Sequence, residues 1–340
     1  MTPEITTDTA REKTPAAAPA VTANLSDEIK IDFASIGSDE MNLLDNIAGI
    51  TGRPDGAFNI RANGISIGRA ATKSVEIVTK KDKPGIDIII QPGTTGEKVY
   101  IPVVISNSGH QEVVYNDFYI GEAATVEIIA GCGIHNTGCH ESRHDGVHTF
   151  HVGKNAHVRY VERHYGEGSG EGTNVMNPTT VVNMEKNSYM EMETTQIKGI
   201  DSTARVTKAE LGEGAQLVIN EKIMTHGVQF ATTDFVVEMN GDGCSTNVVS
   251  RSVAKDNSRQ RFTADLRGNA RCHGHSECDA IVMDNAVVSS LPQITANSVD
   301  AELIHEAAIG KIAGEQLDKL MTLGLTEQEA ESKIIDGFLK

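Results

Sequence analysis

The sequence predicts a mainly β protein: a parallel β-helix with a C-terminal helical domain and a short N-terminal helical region. Three observations predict it. Short β-prone runs recur along the middle of the chain at a near-constant spacing. Aromatic residues make up only 4% of the 340 residues, and Trp is absent. The last stretch of the chain changes to helical spacing.

The repeat emerges from "IGEAATVEII" at Ile120, "VGKNAHVRYV" at Val152, "MEKNSYMEME" at Met184, "LGEGAQLVIN" at Leu211, "MNGDGCSTNVV" at Met239 and "LRGNARCHGH" at Leu266. Each places an apolar residue before a turn rich in Gly, Asn, Lys or Glu, and then a β-prone run. Successive units start roughly 27 to 32 residues apart, which is the mark of stacked supersecondary units. Strands and turns stacked in this way make a β-helix, in which one coil buries its inner face only against its neighbours. A β-sandwich is the runner-up, but it needs two-residue hairpins, and "MNGDG" at Met239 is one of few such signals.

The composition agrees. A hydrophobic content of 39% supports one large core, or one core with a small appended domain. A thin core of Val, Ile, Met and Ala has little use for aromatic side chains, and 32 Gly supply turns. A net charge of -17 leaves no basic footprint for nucleic acid; an acidic surface serves solubility. No apolar run reaches the roughly 20 residues that span a bilayer. The opening "MTPEITTDTAREKTPAAAPA" has no apolar centre, so it does not read as a secretory signal. The expected location is cytoplasmic. The five Cys then read as metal ligands or nucleophiles rather than a disulfide framework.

Four segments follow. Residues 1–22, rich in Thr, Ala and Pro, read as a disordered tail. Residues 23–54 form the N-terminal helical region, with Leu43, Leu44, Ile47 and Ala48 on one face. Residues 55–299 form the β-helix, and 300–340 the helical domain, whose opening "DAELIHEAAIGKI" is rich in helix formers. Within that domain Leu317, Leu320 and Met321 share a face, and Gly324 is placed to end their helix. Thr326 and Glu329 make a capping box, after which Ala330, Ile334 and Phe338 line one side. An open β-helix end needs cover, so the pattern suits a cap and a docking surface equally.

Two clusters carry possible chemistry. His135, His140, His144, His148, His151, His157 and His164 lie with Cys132 and Cys139 in one short stretch. Imidazole and thiolate are metal ligands, but the spacing matches no standard zinc signature, and His148 and His151 fall on opposite faces of a strand. A zinc-binding structural protein and inert exterior histidines both remain readings of this stretch. The second cluster is "CHGHSECDAIVMD" followed by "IHEAAIG", with Cys272, His273, His275, Glu277, Cys278, His305 and Glu306. Cys272 and Cys278 share a face of a strand. A chain turning back from the β-helix brings Glu306 toward Cys278. A mixed thiolate, carboxylate and imidazole set holds a cluster less firmly than four Cys, which suits a site that releases what it builds. The alternative is a buried structural Cys near a helix start, with Glu306 complementing the helix dipole. A Cys278–His305 nucleophile pair lacks an oxyanion motif. No P-loop is present, so any ATP hydrolysis belongs to another chain.

The segment "HSECDAIVMDNAVVSSLPQITANSVDAELIHEAAIGKIAGEQLDKLMTLGLTEQEAESKIIDGFLK" resembles the SufB/SufD family of iron–sulfur cluster assembly scaffolds. Weaker likeness runs back through "QIKGIDSTAR", "GKNAHVRYVERHYG" and "AGCGIHN", so it covers most of residues 55–340. The resemblance implies a parallel β-helix with a helical domain, and a non-catalytic scaffold that pairs through its β-helices. It also implies that the helices of Ala301 to Lys340 dock a SufC-type ABC ATPase. Cys278 matches the family's cluster-associated Cys, Glu306 the acidic residue of the HEA motif, and His305 its neighbour. All three are thereby the expected ligands of a transient iron–sulfur cluster of the 4Fe-4S type, destined for apo iron–sulfur proteins. Gln196 and Lys208 fall near an inner-face polar track for sulfur movement. The chain departs from the larger SufB type in lacking a long N-terminal region. It also has "MDNAVVSS" where that type carries a second Cys. A homodimer supplies the missing ligands, with Cys278 and Glu306 from each copy. The rival class is a β-helix enzyme acting on polysaccharide, which needs a basic groove lined with carboxylates.

Overall fold

The computed structural model describes residues 28–340; the expected disordered tail lies outside the described residues. Strands make up 56% of the chain, wound into a β-solenoid of about 8 turns. One sheet runs in the order β2 (Ile65–Ala70), β1 (Ala57–Ala62), β5 (Glu97–Ile105), β7 (Thr125–His135), β9 (His157–Glu167), β12 (Tyr189–Lys198), β14 (Gln216–Thr225), β16 (Ser245–Ala254), β18 (Cys272–Val282), β20 (Ala301–Gly310). The other runs β19 (Val287–Ala296), β17 (Arg259–Gly268), β15 (Phe230–Met239), β13 (Ser202–Leu211), then β10 (Asn174–Met176) and β11 (Thr179–Met184), then β8 (Ser142–Val152), β6 (Gln111–Ile120), β4 (Gly85–Ile90), β3 (Val75–Thr79). Among the described strands the pairings are parallel except in the two opening hairpins, β1 with β2 and β3 with β4, and Ile29 adds an antiparallel bridge to Arg69. The β-helix expected from the repeat is therefore the observed fold.

The coil length follows the sequence period. Asn183 pairs with His151, 32 residues away, whereas Val182 pairs with Ala209 at 27 and Ser250 with Cys278 at 28. Coils of the first sheet are entered through a residue with positive φ: Ala123, Asn155, Asn187, Gly214 or Gly243. Asn and Gly tolerate this left-handed conformation, which explains the "KN" and "EG" of the repeats. The next residue is small and buried each time: Ala124, Ala156, Ser188, Ala215 or Cys244. Each small residue stacks on its counterpart in the neighbouring coil, so Cys244 occupies a turn position with a structural purpose. Between the sheets lies a continuous core of Val, Ile, Leu and Met, with Phe118 stacked on Phe150 at 4.4 Å.

Helix α1 (Ser38–Ala48) lies on the outer face of the first sheet and buries Leu43, Leu44, Ile47 and Ala48, the face expected from the sequence. Two glycines of β7 make room for it. A Cβ on Gly131 would sit 2.8 Å from that of Ile47, and one on Gly133 3.0 Å from that of Leu43.

The C-terminal region differs from the sequence reading at its start. Residues 301–310 are not helical. They form β20, paired in register with β18 from Cys272–Ala301 to Ile281–Gly310. Their helix-forming composition is overridden by the hydrogen-bond ladder that β18 offers, since propensity is a weak prior against tertiary pairing. Helices begin only with α2 (Gly314–Thr322) and α3 (Glu327–Phe338). The Thr326–Glu329 capping box forms, and Gly324 takes φ 95° after α2. Ile335 and Leu339 pack on Val253 of the outer β16 face, beside Met224, Ile281 and Met283. α2 buries no residue, and Met321 and Leu323 stand exposed. Among the described residues, no helix is long and apolar enough to cross a membrane.

Candidate functional site

Strand alternation decides where the expected ligands point. Cys278 lies on the inner face of β18 and is 1% exposed. Ser250 and Ala307 flank it in the ladder. The Ser290 hydroxyl of β19 approaches the thiol and has no other partner. Burial pushes the Cys278 thiol up to about 11. His305 shares the inner face one ladder step away, opposite Ser276, whose hydroxyl is 2.9 Å from His305 Nδ1. Burial, with His275 nearby, lowers the His305 pKa. Glu306 does not join them. As the next residue along β20 it faces outward, opposite Glu277, with its side chain 66% exposed. The expected approach of Glu306 to Cys278 within one chain is therefore not observed: consecutive residues of a strand take opposite faces, and residue 306 belongs to a strand, not a returning helix. Glu306 Oε2 instead lies 3.9 Å from His275 Nε2.

Behind Cys278 a polar row runs back through the interior. Ala130, Glu162, Thr194, Glu221, Ser250 and Cys278 occupy one register line across six strands. Glu221 accepts hydrogen bonds from Ser250 (2.7 Å) and Thr233 (3.0 Å), and Arg205 Nε lies 3.5 Å away. Arg205 also pairs with Glu162, and all three ions are buried. Burial pushes the Glu221 carboxyl up, whereas Glu162 is held well below the usual range despite burial, by the Arg205 charge and His164. Tyr160 donates to Glu162 (3.0 Å) and accepts from His148 (2.8 Å), whose Nε2 accepts from Asn116 (3.3 Å). Burial drives the His148 pKa down to about 4, consistent with a neutral ring in that chain. Gln196 is buried in the interior, 3.4 Å from His164. Lys208 is exposed on the outer face of β13; its odd offset from Arg205 puts it on the other side of the strand, and Arg205 is the buried cation.

Beside the far end of this row, two residues along β7 from Ala130, stands Cys132, a centre that sequence spacing did not single out. Cys132 is buried on β7 and hydrogen bonds to His144 of the opposite sheet and His164 of the next coil. Burial alone would raise the thiol pKa; the His144 charge and the hydrogen bonds from both imidazoles outweigh it and bring it down to about 7. His144 is driven up to about 10 against the effect of burial, by Cys132 and by Glu112, whose Oε1 lies 3.2 Å from Nδ1. Arg61 donates to the other oxygen of Glu112 at 2.8 Å. A thiolate held by an imidazolium, oriented in turn by a carboxylate, is the arrangement of an activated nucleophile. Cys132 and His164 are one coil apart, so their contact follows from the repeat; His144 comes from the other sheet, which the repeat does not register. The remaining histidines of this stretch do not converge. His151 stacks on Tyr119 and His157 on Tyr189 at the outer surface, while His135 reaches Glu167. Cys139 is exposed.

Fold and interior together describe a β-helical protein with free cysteines and a polar row buried between its sheets. The model of the SufBD core domain, from SUF system FeS cluster assembly, matches residues 104–338. Similar proteins include an iron-sulfur cluster assembly SufBD family protein of Methanothermobacter thermautotrophicus, 30% identical over 67% of this chain and 55% of that protein. Another, from Methanocaldococcus jannaschii, is 31% identical over 55% of this chain and 60% of its own length, and one from Pyrococcus horikoshii 29% over 69% and 71%. The chain thus spans little more than half the length of the first two relatives. It belongs to the SufBD family.

Proposed function

We propose that the protein is a non-catalytic scaffold on which an iron–sulfur cluster, its cargo, is assembled at the open end of the β-helix. The observation that carries this reading is the position of Cys278. It is a fully buried thiol on β18, next to the free edge β20, and the interior line Ser250, Glu221, Thr194 and Glu162 runs from it back to the neighbourhood of His164, the partner of Cys132 in the ladder. The low-pKa Cys132 thiolate suits attack on the outer sulfur of a donor protein's persulfide, which leaves the donor as a thiolate and Cys132 as the persulfide.

The free edges favour pairing with a second copy. β19 and β20 end their sheets, and exposed Val287, Leu291, Ile294, Ile304 and Ile309 line them. Unpaired strands with apolar side chains are templates for association. In a homodimer, His305 and Glu306 of each edge strand β20, with Cys278 one strand behind them, come together across the symmetry axis and supply ligands that one chain lacks. The apolar side of α2, with Leu317, Leu320 and Met321, is the docking surface for an ABC ATPase of the SufC type. ATP turnover there strains the dimer and releases a 4Fe-4S cluster to apo-proteins in the cytoplasm.

Anaerobic reconstitution with ferrous iron and sulfide tests the reading, followed by absorption and Mössbauer spectra. The wild type should take up a cluster, Cys278→Ala should fail to hold it, and Glu306→Ala should lose it faster. A wild type without cluster, or a Cys278→Ala variant that holds it equally well, overturns the proposal.

A further inference from the structure

The outer face of the last coil carries a second constellation. His275 and Glu277 project outward from β18, and Glu306 from β20. One ligand atom from each lies within 4.8 Å of the others, and among the described residues this is the group of three so placed. Two features are not needed by the fold. Glu277 stands directly opposite Glu306 in the ladder, and like charges so paired are destabilising. His275 donates from Nδ1 to Asn247 Oδ1 at 2.7 Å. That bond, made by a residue outside the group, fixes the tautomer and leaves Nε2 with a lone pair turned toward Glu306. A histidine oriented through its far nitrogen is the usual support of a metal ligand.

We propose that His275, Glu277 and Glu306 bind a divalent first-row transition metal, ferrous iron in the setting of cluster assembly, on the opposite side of the sheet from Cys278. One imidazole with two carboxylates suits Fe(II), Mn(II), Co(II) or Zn(II), and the lack of thiolate disfavours Cu(I). Ligand bonds of about 2.1 Å put neighbouring donor atoms about 3 Å apart. The exposed Glu306 side chain closes the remaining gap by rotation, without movement of the strands. Three protein ligands leave coordination positions open. A surface groove lined by Gln216, Ser245, Asn247, His273 and His275 runs beside them. An ion held in this way exchanges readily, as an ion awaiting incorporation must. The inference deepens the scaffold reading by giving iron a waiting position next to the assembly edge.

The test is an anaerobic titration of the full chain with Co²⁺, read by its visible absorption, and with Fe²⁺ in competition with a coloured chelator. One ion per chain should bind saturably in the micromolar range. His275→Ala and Glu277→Gln should each weaken binding at least tenfold, and Asn247→Ala should weaken it about tenfold. Cys278→Ala should bind as the wild type does. Circular dichroism verifies that each variant is folded; His275, Glu277 and Asn247 face outward, and only the Cys278→Ala control alters the interior. Absence of saturable binding, or variant isotherms that superimpose on the wild type, overturns the inference. Reconstitution of the cluster is scored separately. Co²⁺ binding without cluster formation leaves this site standing and removes the scaffold reading, and cluster formation without Co²⁺ binding does the reverse.

Discussion

Cys132 and His164 occupy the same register position on adjacent coils, side by side inside the β-helix. With His144 facing them from the other sheet, they set the charge state of the interior. The Cys132 thiol is lowered from 9.0 to about 7, so its contribution to stability is complete above the unfolded value and is lost as pH falls through about 7. His144 is raised from 6.5 to about 10, so its contribution is complete below 6.5 and is lost as pH rises through about 10. The thiolate–imidazolium pair therefore exists between about pH 7 and pH 10. Removing the imidazolium with His144→Asn should return the Cys132 thiol to its ordinary value or above. Ultraviolet thiolate absorbance against pH, as a difference from Cys132→Ser, measures it. An unchanged titration would show that His164 alone sustains the thiolate.

Arg205→Met should be strongly destabilising. The guanidinium serves two buried carboxylates, Glu162 and Glu221. Removing one partner of a buried ion pair costs about 3–5 kcal/mol, because a charge is left uncompensated. Denaturant unfolding should show the loss, and it should shrink at low pH, where protonation of Glu162 removes the stranded charge. A cost under about 1 kcal/mol, as at a surface pair, would contradict the buried geometry.

Gly131→Val should lift α1 from the sheet, because its side chain would meet Ile47 and the Arg163 carbonyl. Overpacking of this kind costs about 1–3 kcal/mol. Hydrogen exchange over residues 38–48 should accelerate while the central strands stay protected.

Pairing through the free edges makes a prediction about assembly. The wild type should sediment as a dimer, and Leu291→Lys with Ile304→Lys should sediment as a folded monomer. A monomeric wild type at tens of micromolar would rule out the edge-to-edge arrangement.

The proposed docking through α2 is separable from folding, since α2 buries nothing while α3 covers Val253. Leu320→Lys with Met321→Lys should abolish co-purification with an ABC ATPase and leave the unfolding midpoint nearly unchanged. A retained complex would move the docking surface elsewhere.

The coil architecture was legible because its cause is local. Asn155 and Asn187 mark turns by taking positive φ, and the small residue after each must fit between coils. The Thr326–Glu329 box was legible for the same reason. What escaped was set by partners distant in the chain. Ala301–Gly310 looks helical on its own and becomes a strand because β18 presents an open edge. The Cys132–His144 contact joins different sheets, and Arg205 finds its carboxylates 43 and 16 residues away. Lys208 was misplaced by the face of a strand, a matter of counting by twos from Arg205.

That same counting gives the last strand a two-valued character. β20 is held along one side only, by β18. Its alternation now presents His305 to the interior and Glu306 to the exterior. A shift of β20 by a single residue would exchange them, setting a carboxylate beside the Cys278 thiol and an imidazole among the outer acids. Adjacent donors of unlike hardness on an edge strand are thus a parity bit: one step of the chain chooses which chemistry faces inward.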